Sequence, residues 1–372
     1  MASSGLINYR KWSLADCPSL TSKIAIVTGG NAGIGREIVA QLLKKDIEKV
    51  YVLARSKEHF SEAEMFWRNE HKIENVESRV EFLECTLSDM VTTKRVADGL
   101  VGRLERLDIL INNAGLPTIP DYTLSPQGIE TIWATNVIGT FVLTNILLPT
   151  LESTAEKYGD SRIVVTSSSF HMGCQELKLD LLKSPTRVKS PDAIDSCWRY
   201  ARSKLGNLLF TKELAKRLEK RGSSKVYANC FFPGNIPTGA MDTWKELFGP
   251  LGYLMKANFW VLGQSTTDGA ATALYLAAAP EVVERNQKGS YFCPVAAEDD
   301  TSALAKDKDL AKNVWYWCDG QVTDALGRGW DEQKGDGEGN GEGEEKAPSE
   351  EEKGGEIEIL QSVEVIGAIP AS

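Results

Sequence analysis

Tyr200 and Lys204 stand four residues apart in the run Tyr-Ala-Arg-Ser-Lys. On a helix that spacing puts a phenol and an ammonium on one face. A fixed cation beside a phenol favours the phenolate, so the pair predicts a tyrosine pKa pulled below its ordinary value of about 10. Such a tyrosine can give a proton to a carbonyl oxygen or take one from an alcohol. The same spacing is common on solvated helix faces, so its weight depends on what surrounds it.

The surroundings read as alternating strands and helices. Lys23 to Thr28 is a short apolar, β-branched run that predicts a buried parallel strand. It leads through Gly29, Gly30, Asn31, Ala32, Gly33, Ile34 and Gly35 into a helical pattern from Arg36 to Lys45. Strand, glycine turn and helix open a βαβ unit whose backbone can approach a pyrophosphate at the positive end of the helix. The glycine spacing is GxxxGxG, and a tight turn without a ligand is the plainer reading of those glycines. A second strand, Val50 to Ala54, ends in Arg55, with no carboxylate before Glu58. An acid near this point would hold the ribose 2′-hydroxyl of NAD, whereas a guanidinium can pair with the 2′-phosphate of NADP(H). Arg36 is expected to add a second cation. Further strands are predicted at Leu107 to Ile111, Ile163 to Thr166 and Phe231 to Phe232. Each ends in groups that would face the cofactor crevice: Asn112, Asn113, Ala114 and Gly115; Ser167, Ser168 and Ser169; Pro233, Gly234, Asn235, Ile236, Pro237 and Thr238.

Together these segments resemble the short-chain dehydrogenase/reductase family, in the family's order, from about Ser22 to about Val322. TGGNAGIG is similar to its cofactor glycine motif, NNAG to its sheet-stabilising motif, YARSK to its active-site motif, and PGNIPT to the segment that closes over the nicotinamide. The resemblance implies a catalytic set of Asn136, Ser168, Tyr200 and Lys204, with Ser167 or Ser169 as alternative registers for the serine. It also implies cofactor contacts from Gly29, Asn31, Gly33, Ile34, Gly35, Asn113, Ala114, Gly115, Asn136, Tyr200, Lys204, Pro233, Gly234, Ile236 and Thr238, beside the two arginines. Within the family the retinol-dehydrogenase-like branch and its fungal relatives are the nearest likeness. Two features depart from the pattern. Thr86 stands where relatives usually carry an Asp against the adenine ring, and 31 residues separate Ser168 from Tyr200. That insert is expected to be a surface excursion at the pocket rim, or a lid.

The fold class expected is therefore α/β, a Rossmann-type doubly wound parallel sheet in a single domain over residues 21–325. Residues 1–20 are an N-terminal extension and 326–372 an acidic tail. From Asp331 onward thirteen acids face three bases, a net of −10 that equals the charge of the whole chain. The folded part is thus near neutral, and nothing favours nucleic acid or an anionic membrane as partner. The Gly- and Glu-rich tail is expected to stay disordered. Seven cysteines without a CxxC and three scattered histidines predict neither disulfides nor a metal, and a reducing, cytoplasmic setting. No signal peptide is expected, because the first twenty residues lack an unbroken apolar core. Ile132 to Leu151 is uncharged over twenty residues but carries Asn136, Asn145 and Pro149, so a core helix or homodimer seam is expected rather than a transmembrane span. The aromatic stretch Met241 to Gly263 points to an apolar substrate. The function expected is an NADP(H)-dependent oxidoreductase interconverting a carbonyl and an alcohol on an apolar small molecule, as a reductase in specialised, terpenoid, steroid or polyketide metabolism. A catalytically idle NADP(H) sensor acting through the tail, or an epimerase or dehydratase on the same scaffold, are the alternatives.

Overall fold

Eight strands form one sheet in the order β3-β2-β1-β4-β5-β6-β7-β8. They are β1 (Ile24–Thr28), β2 (Lys49–Ala54), β3 (Val80–Glu84), β4 (Ile109–Asn112), β5 (Ser161–Thr166), β6 (Val226–Phe231), β7 (Tyr291–Cys293) and β8 (Ala297–Glu298). The computed structural model describes residues 11–236, 263–327 and 329–330. Neighbours from β3 to β7 run parallel, as expected, and the two-residue β8 closes the edge antiparallel. The chain winds outward one way through β1, β2 and β3, then returns to lay β4 on the other side of β1. That reversal leaves a crevice at the strands' carboxyl ends, where doubly wound sheets bind ligands.

Helices cover both faces: α1 (Gly33–Lys44), α2 (Lys57–Asn69), the short α3 (Val76–Arg79), α4 (Met90–Val101), α5 (Thr131–Trp133), α6 (Gly139–Tyr158), α7 (Asp192–Lys220), α8 (Thr266–Ala278), the short α9 (Pro280–Glu284) and α10 (Ala303–Lys306), and α11 (Lys308–Leu326). Strand residues are apolar on both sides because both sides are covered. Ile26, Leu110, Ile163 and Val165 face the layer of α4, α6, α7 and α11. Ala25, Val27, Ile109, Ile111 and Val164 face the layer of α1, α2 and α8. The last helix is held by Trp315, stacked on Phe210 with centroids 5.8 Å apart and meeting Phe141 edge-on at 4.9 Å. It ends at Leu326, with Gly327 at φ 73 capping it, and Trp330 packs back edge-on against Phe141 at 6.5 Å while its backbone N–H donates to Asp319 Oδ1 at 2.7 Å.

The apolar stretch at Ile132 lies in a continuous helical run, Thr131–Tyr158, whose most apolar window is 83% buried inside the fold. It is a core helix. The N-terminal extension is not loose where it is described, because Trp12 packs edge-on against Tyr275 at 5.8 Å and Leu20 is buried. The insert before Tyr200 is mostly exposed, yet it is tied down. Leu182 is buried and its carbonyl accepts from Glu130 N at 2.8 Å, while Tyr122 donates to the Ser184 carbonyl at 2.6 Å. Part of the extra length is α7 itself, which starts at Asp192, two turns before Tyr200. Thr238, most of the Met241–Gly263 stretch and the acidic tail from Asp331 lie outside the described residues.

Candidate active site

Two adjoining clefts run along the carboxyl edge of the sheet and share Asn113, Gly115 and Leu116. The first is walled by Ile34, Pro117, Phe170, Phe232 and Ile236, with Ser168, Tyr200 and Lys204 on its floor. The second is bounded by Gly29, Asn31, Ala54, Arg55, His59, Cys85 and Leu87. Of the glycine turn, Gly29 has φ +64, and a Cβ on Gly35 would lie 2.1 Å from the Gly29 carbonyl oxygen. The turn therefore closes only with glycine at Gly35. Asn113 holds it from β4, donating from Nδ2 to the Thr28 and Gly29 carbonyls at 3.1 and 3.4 Å.

Three neighbouring serines line the first cleft, and the geometry gives Ser167 and Ser168 different partners. Ser167 donates to the Lys204 carbonyl at 2.8 Å and is committed to packing the helix on β5. Ser168 hydrogen-bonds the Tyr200 phenol, and the Tyr200 ring meets Phe170 edge-on at 5.4 Å. Lys204, buried, donates to the Thr166 carbonyl at 3.1 Å and lies with its ammonium 5.5 Å from the Tyr200 ring centre. Ser168, Tyr200 and Lys204 are thus brought together.

The expected lowering of the Tyr200 pKa is overturned. Burial dominates and pushes the phenol up to about 12, with the Ser168 hydrogen bond pulling weakly the other way. Burial likewise pulls the Lys204 ammonium down to about 8. Burial is the largest cause of both shifts, because an enclosed site disfavours either charge.

Asn136 sits in a π-helical segment, Ala134–Ile138, between α5 and α6, an interruption frequent at functional sites. Its side chain is buried and paired with one loop residue. Oδ1 accepts from Leu116 N at 2.7 Å, and Nδ2 donates to Leu116 O at 3.1 Å and to Ser203 Oγ at 3.0 Å. Ser203 in turn donates to the Tyr200 carbonyl at 2.8 Å. A Cβ on Gly115 would lie 3.2 Å from Asn136 Oδ1 and 3.3 Å from Lys204 Nζ, so the three residues converge at the junction of the clefts.

At the far end Arg55 is exposed on the cleft wall, and no carboxylate of the described residues pairs with it. Arg36, expected as a second cation, is not on either wall. Its guanidinium stacks on Phe66 of α2 at 3.9 Å, and its carbonyl accepts from the Trp67 indole at 2.9 Å. Gly33 and Gly35 shape the turn without lining a cleft. Thr86 is also off the wall, with Cys85 and Leu87 on either side of it facing in. Leu116, Pro117, Phe170 and His59 were not foreseen as wall residues; only their position after strand ends marked them.

The clefts fit a nicotinamide dinucleotide. Ala32 at the N-cap of α1 offers its first-turn amides no side-chain acceptor, whereas Ser56 and Asp89 cap α2 and α4. Those amides are left for an anion.

A family model for short chain dehydrogenases matches residues 23–175. A short-chain dehydrogenase/reductase of Armillaria gallica is 34% identical over 315 residues, covering 84% of this chain and 94% of the relative. Retinol dehydrogenase 14 of Mus musculus is 32% identical over 320 residues, covering 84% and 89%. The crystal structure of an uncharacterised Mycobacterium paratuberculosis protein superposes with a TM-score of 0.62 and 27% identity, covering 84% of this chain and 97% of that one. With its glycine turn, Asn-Asn-Ala-Gly strand end and Ser168–Tyr200–Lys204 floor in the matching order, this chain belongs to the short-chain dehydrogenase/reductase family.

Proposed function

We propose that the protein is an NADP(H)-dependent oxidoreductase that interconverts a carbonyl and an alcohol on an apolar small molecule, working as a reductase. The observation that carries the reading is the joining of the Ser168–Tyr200–Lys204 floor to a cleft whose far end presents an exposed Arg55 with no carboxylate partner among the described residues. The glycine turn and first amides of α1 would hold the pyrophosphate. Arg55 would take the 2′-phosphate, and Ile34, Asn113, Pro233, Gly234 and Ile236 the nicotinamide end. When bound, the cofactor supplies the hydride equivalent.

The chain's own residues handle the oxygen and the proton. Ser168 and Tyr200 hold the carbonyl oxygen by hydrogen bonds. As negative charge grows on that oxygen, the Tyr200 hydroxyl gives it a proton. Burial keeps Tyr200 protonated at neutral pH, which is the form a reductase needs at the start. The buried ammonium of Lys204 then stabilises the phenolate left behind, a role it can fill because charge beside it is scarcely screened. Asn136 holds the Leu116 loop against Lys204.

The apolar walls at Ile34, Pro117, Phe170, Phe232 and Ile236 favour a hydrophobic substrate. One relative's fungal source and another's retinol dehydrogenase name direct the first panel to retinoids and to terpenoid, steroid and polyketide ketones, in specialised metabolism. We place the reaction in the cytoplasm on the strength of seven cysteines without a CxxC. The test is product analysis with NADPH and that panel. One NADPH oxidised per alcohol formed supports the reading. An altered product without net NADPH consumption would point to epimerisation. NADPH binding with no product from any ketone would leave an idle nucleotide-binding protein.

A further inference from the structure

His171 follows Ser168 by three residues, is 0% exposed, and has no part in the chemistry above. Its Nδ1 lies 2.7 Å from the Ser168 carbonyl oxygen, and its Nε2 lies 3.4 Å from the backbone nitrogen of Ser302. A carbonyl oxygen only accepts and a backbone N–H only donates. The two partners together therefore select the neutral imidazole with its proton on Nδ1. The backbone N–H of His171 donates to the same Ser168 carbonyl at 3.1 Å, so that carbonyl is held twice. The Ser302 segment is in turn gripped by α7, where Lys212 donates to Thr301 Oγ1 at 2.9 Å and to the Ala305 carbonyl at 2.7 Å. Tyr291 of β7 closes the ring's flank, edge-on at 5.1 Å.

We propose that His171 is a positioning residue for Ser168, its imidazole fixing the serine's backbone so that the hydroxyl faces Tyr200, and tying that turn to the segment around Ser302. This rests on the reading of Ser168 as the group that binds the substrate carbonyl. Proton uptake would turn Nε2 into a donor facing another donor and break the link to Ser302. Burial and the Lys212 charge oppose that uptake, while the Ser168 carbonyl and Asp299 favour it, and the balance holds the imidazole below its ordinary pKa.

The experiment is a double-mutant cycle on NADPH-dependent ketone reduction. His171→Phe is expected to lower kcat about 30-fold in the presence of Ser168, with KM for NADPH unchanged, and less than twofold in the Ser168→Ala background. His171→Asn, which keeps an N–H near Nδ1, should recover part of the loss. Equal losses in both backgrounds would overturn the proposal and make His171 a general fold element. A second readout needs no turnover: imidazole ¹⁵N shifts of the full chain at pH 7 should report a neutral ring protonated on Nδ1. A ring protonated on Nε2, or charged, would overturn the proposal even if the enzyme is active. Should no ketone be reduced by the unmodified protein, the functional reading fails and the positioning role falls with it, whereas the ¹⁵N shifts still report the tautomer.

Discussion

The two clefts meet at Gly115 but treat charge in opposite ways. Around Arg55 the charged group that would meet the cofactor stands exposed on the cleft wall. Around Tyr200 the ionisable groups are enclosed, the phenol pushed up to about 12 and the ammonium down to about 8. One end of the site recognises a charge in water, where a guanidinium is cheap to keep and modest in effect. The other holds groups poised for a charge that exists only during reaction, at a standing cost to the fold. Substitutions at the Arg55 end should therefore change affinity and cofactor choice but not stability. Substitutions at the Tyr200 end should change turnover and stability, in opposite directions.

The largest effect is expected from Tyr200→Phe, which keeps the ring and its contact with Phe170 but removes the proton. Turnover should fall about 10³-fold or more, with the NADPH-induced stabilisation retained. Near-normal turnover would remove Tyr200 from the chemistry. Lys204→Met should also lower turnover, by about 10²-fold, yet raise the unfolding midpoint. Lys204 has its folded pKa lowered from 10.5 to about 8, so the unfolded chain binds the extra proton between those values and stability rises with pH there. The penalty, on the order of 3 kcal/mol, is full below pH 8 and gone above about 10.5. Denaturant midpoints of parent and Lys204→Met should accordingly differ most at pH 7 and converge by about pH 10.5. A variant less stable than the parent at pH 7 would contradict this.

At the exposed end, Arg55→Ala should raise KM for NADPH about 10- to 100-fold, the loss of a charge-assisted hydrogen bond, and leave KM for NADH nearly unchanged. Equal effects on both cofactors would mean that Arg55 does not meet the 2′-phosphate. The smallest effect belongs to Arg36→Ala. Its guanidinium stacks on Phe66, so the change should cost about 0.5–1 kcal/mol of stability and alter the NADPH/NADH preference less than twofold. A large shift in preference would return Arg36 to the cofactor.

What could be read from the sequence follows a physical line. Strand ends, glycine turn and the Tyr200–Lys204 spacing were legible because backbone periodicity alone places them. The direction of a side chain depends on a neighbour distant in sequence, and there the reading failed or stayed open. Arg36 is one turn from the cleft but finds Phe66 of a helix 30 residues away. The serine register was open in the sequence because the partners that tell Ser167 from Ser168, the Lys204 carbonyl and the Tyr200 phenol, lie more than thirty residues on. The sign of the Tyr200 shift was misjudged because spacing shows the nearby cation but not the enclosure that outweighs it. Asn136 was named as a site residue from its motif, whereas its grip on Leu116 needs the loop in three dimensions.

The most direct measurement of the division between the clefts is the unfolding midpoint with and without saturating NADPH for the parent, Tyr200→Phe and Arg55→Ala. A ligand at about a hundred times its dissociation constant adds roughly 2.7 kcal/mol. The parent and Tyr200→Phe should show that shift alike, while Arg55→Ala at the same NADPH concentration should lose about half of it or more. A full shift in Arg55→Ala, or its loss in Tyr200→Phe, would contradict the assignment of recognition to one cleft and chemistry to the other.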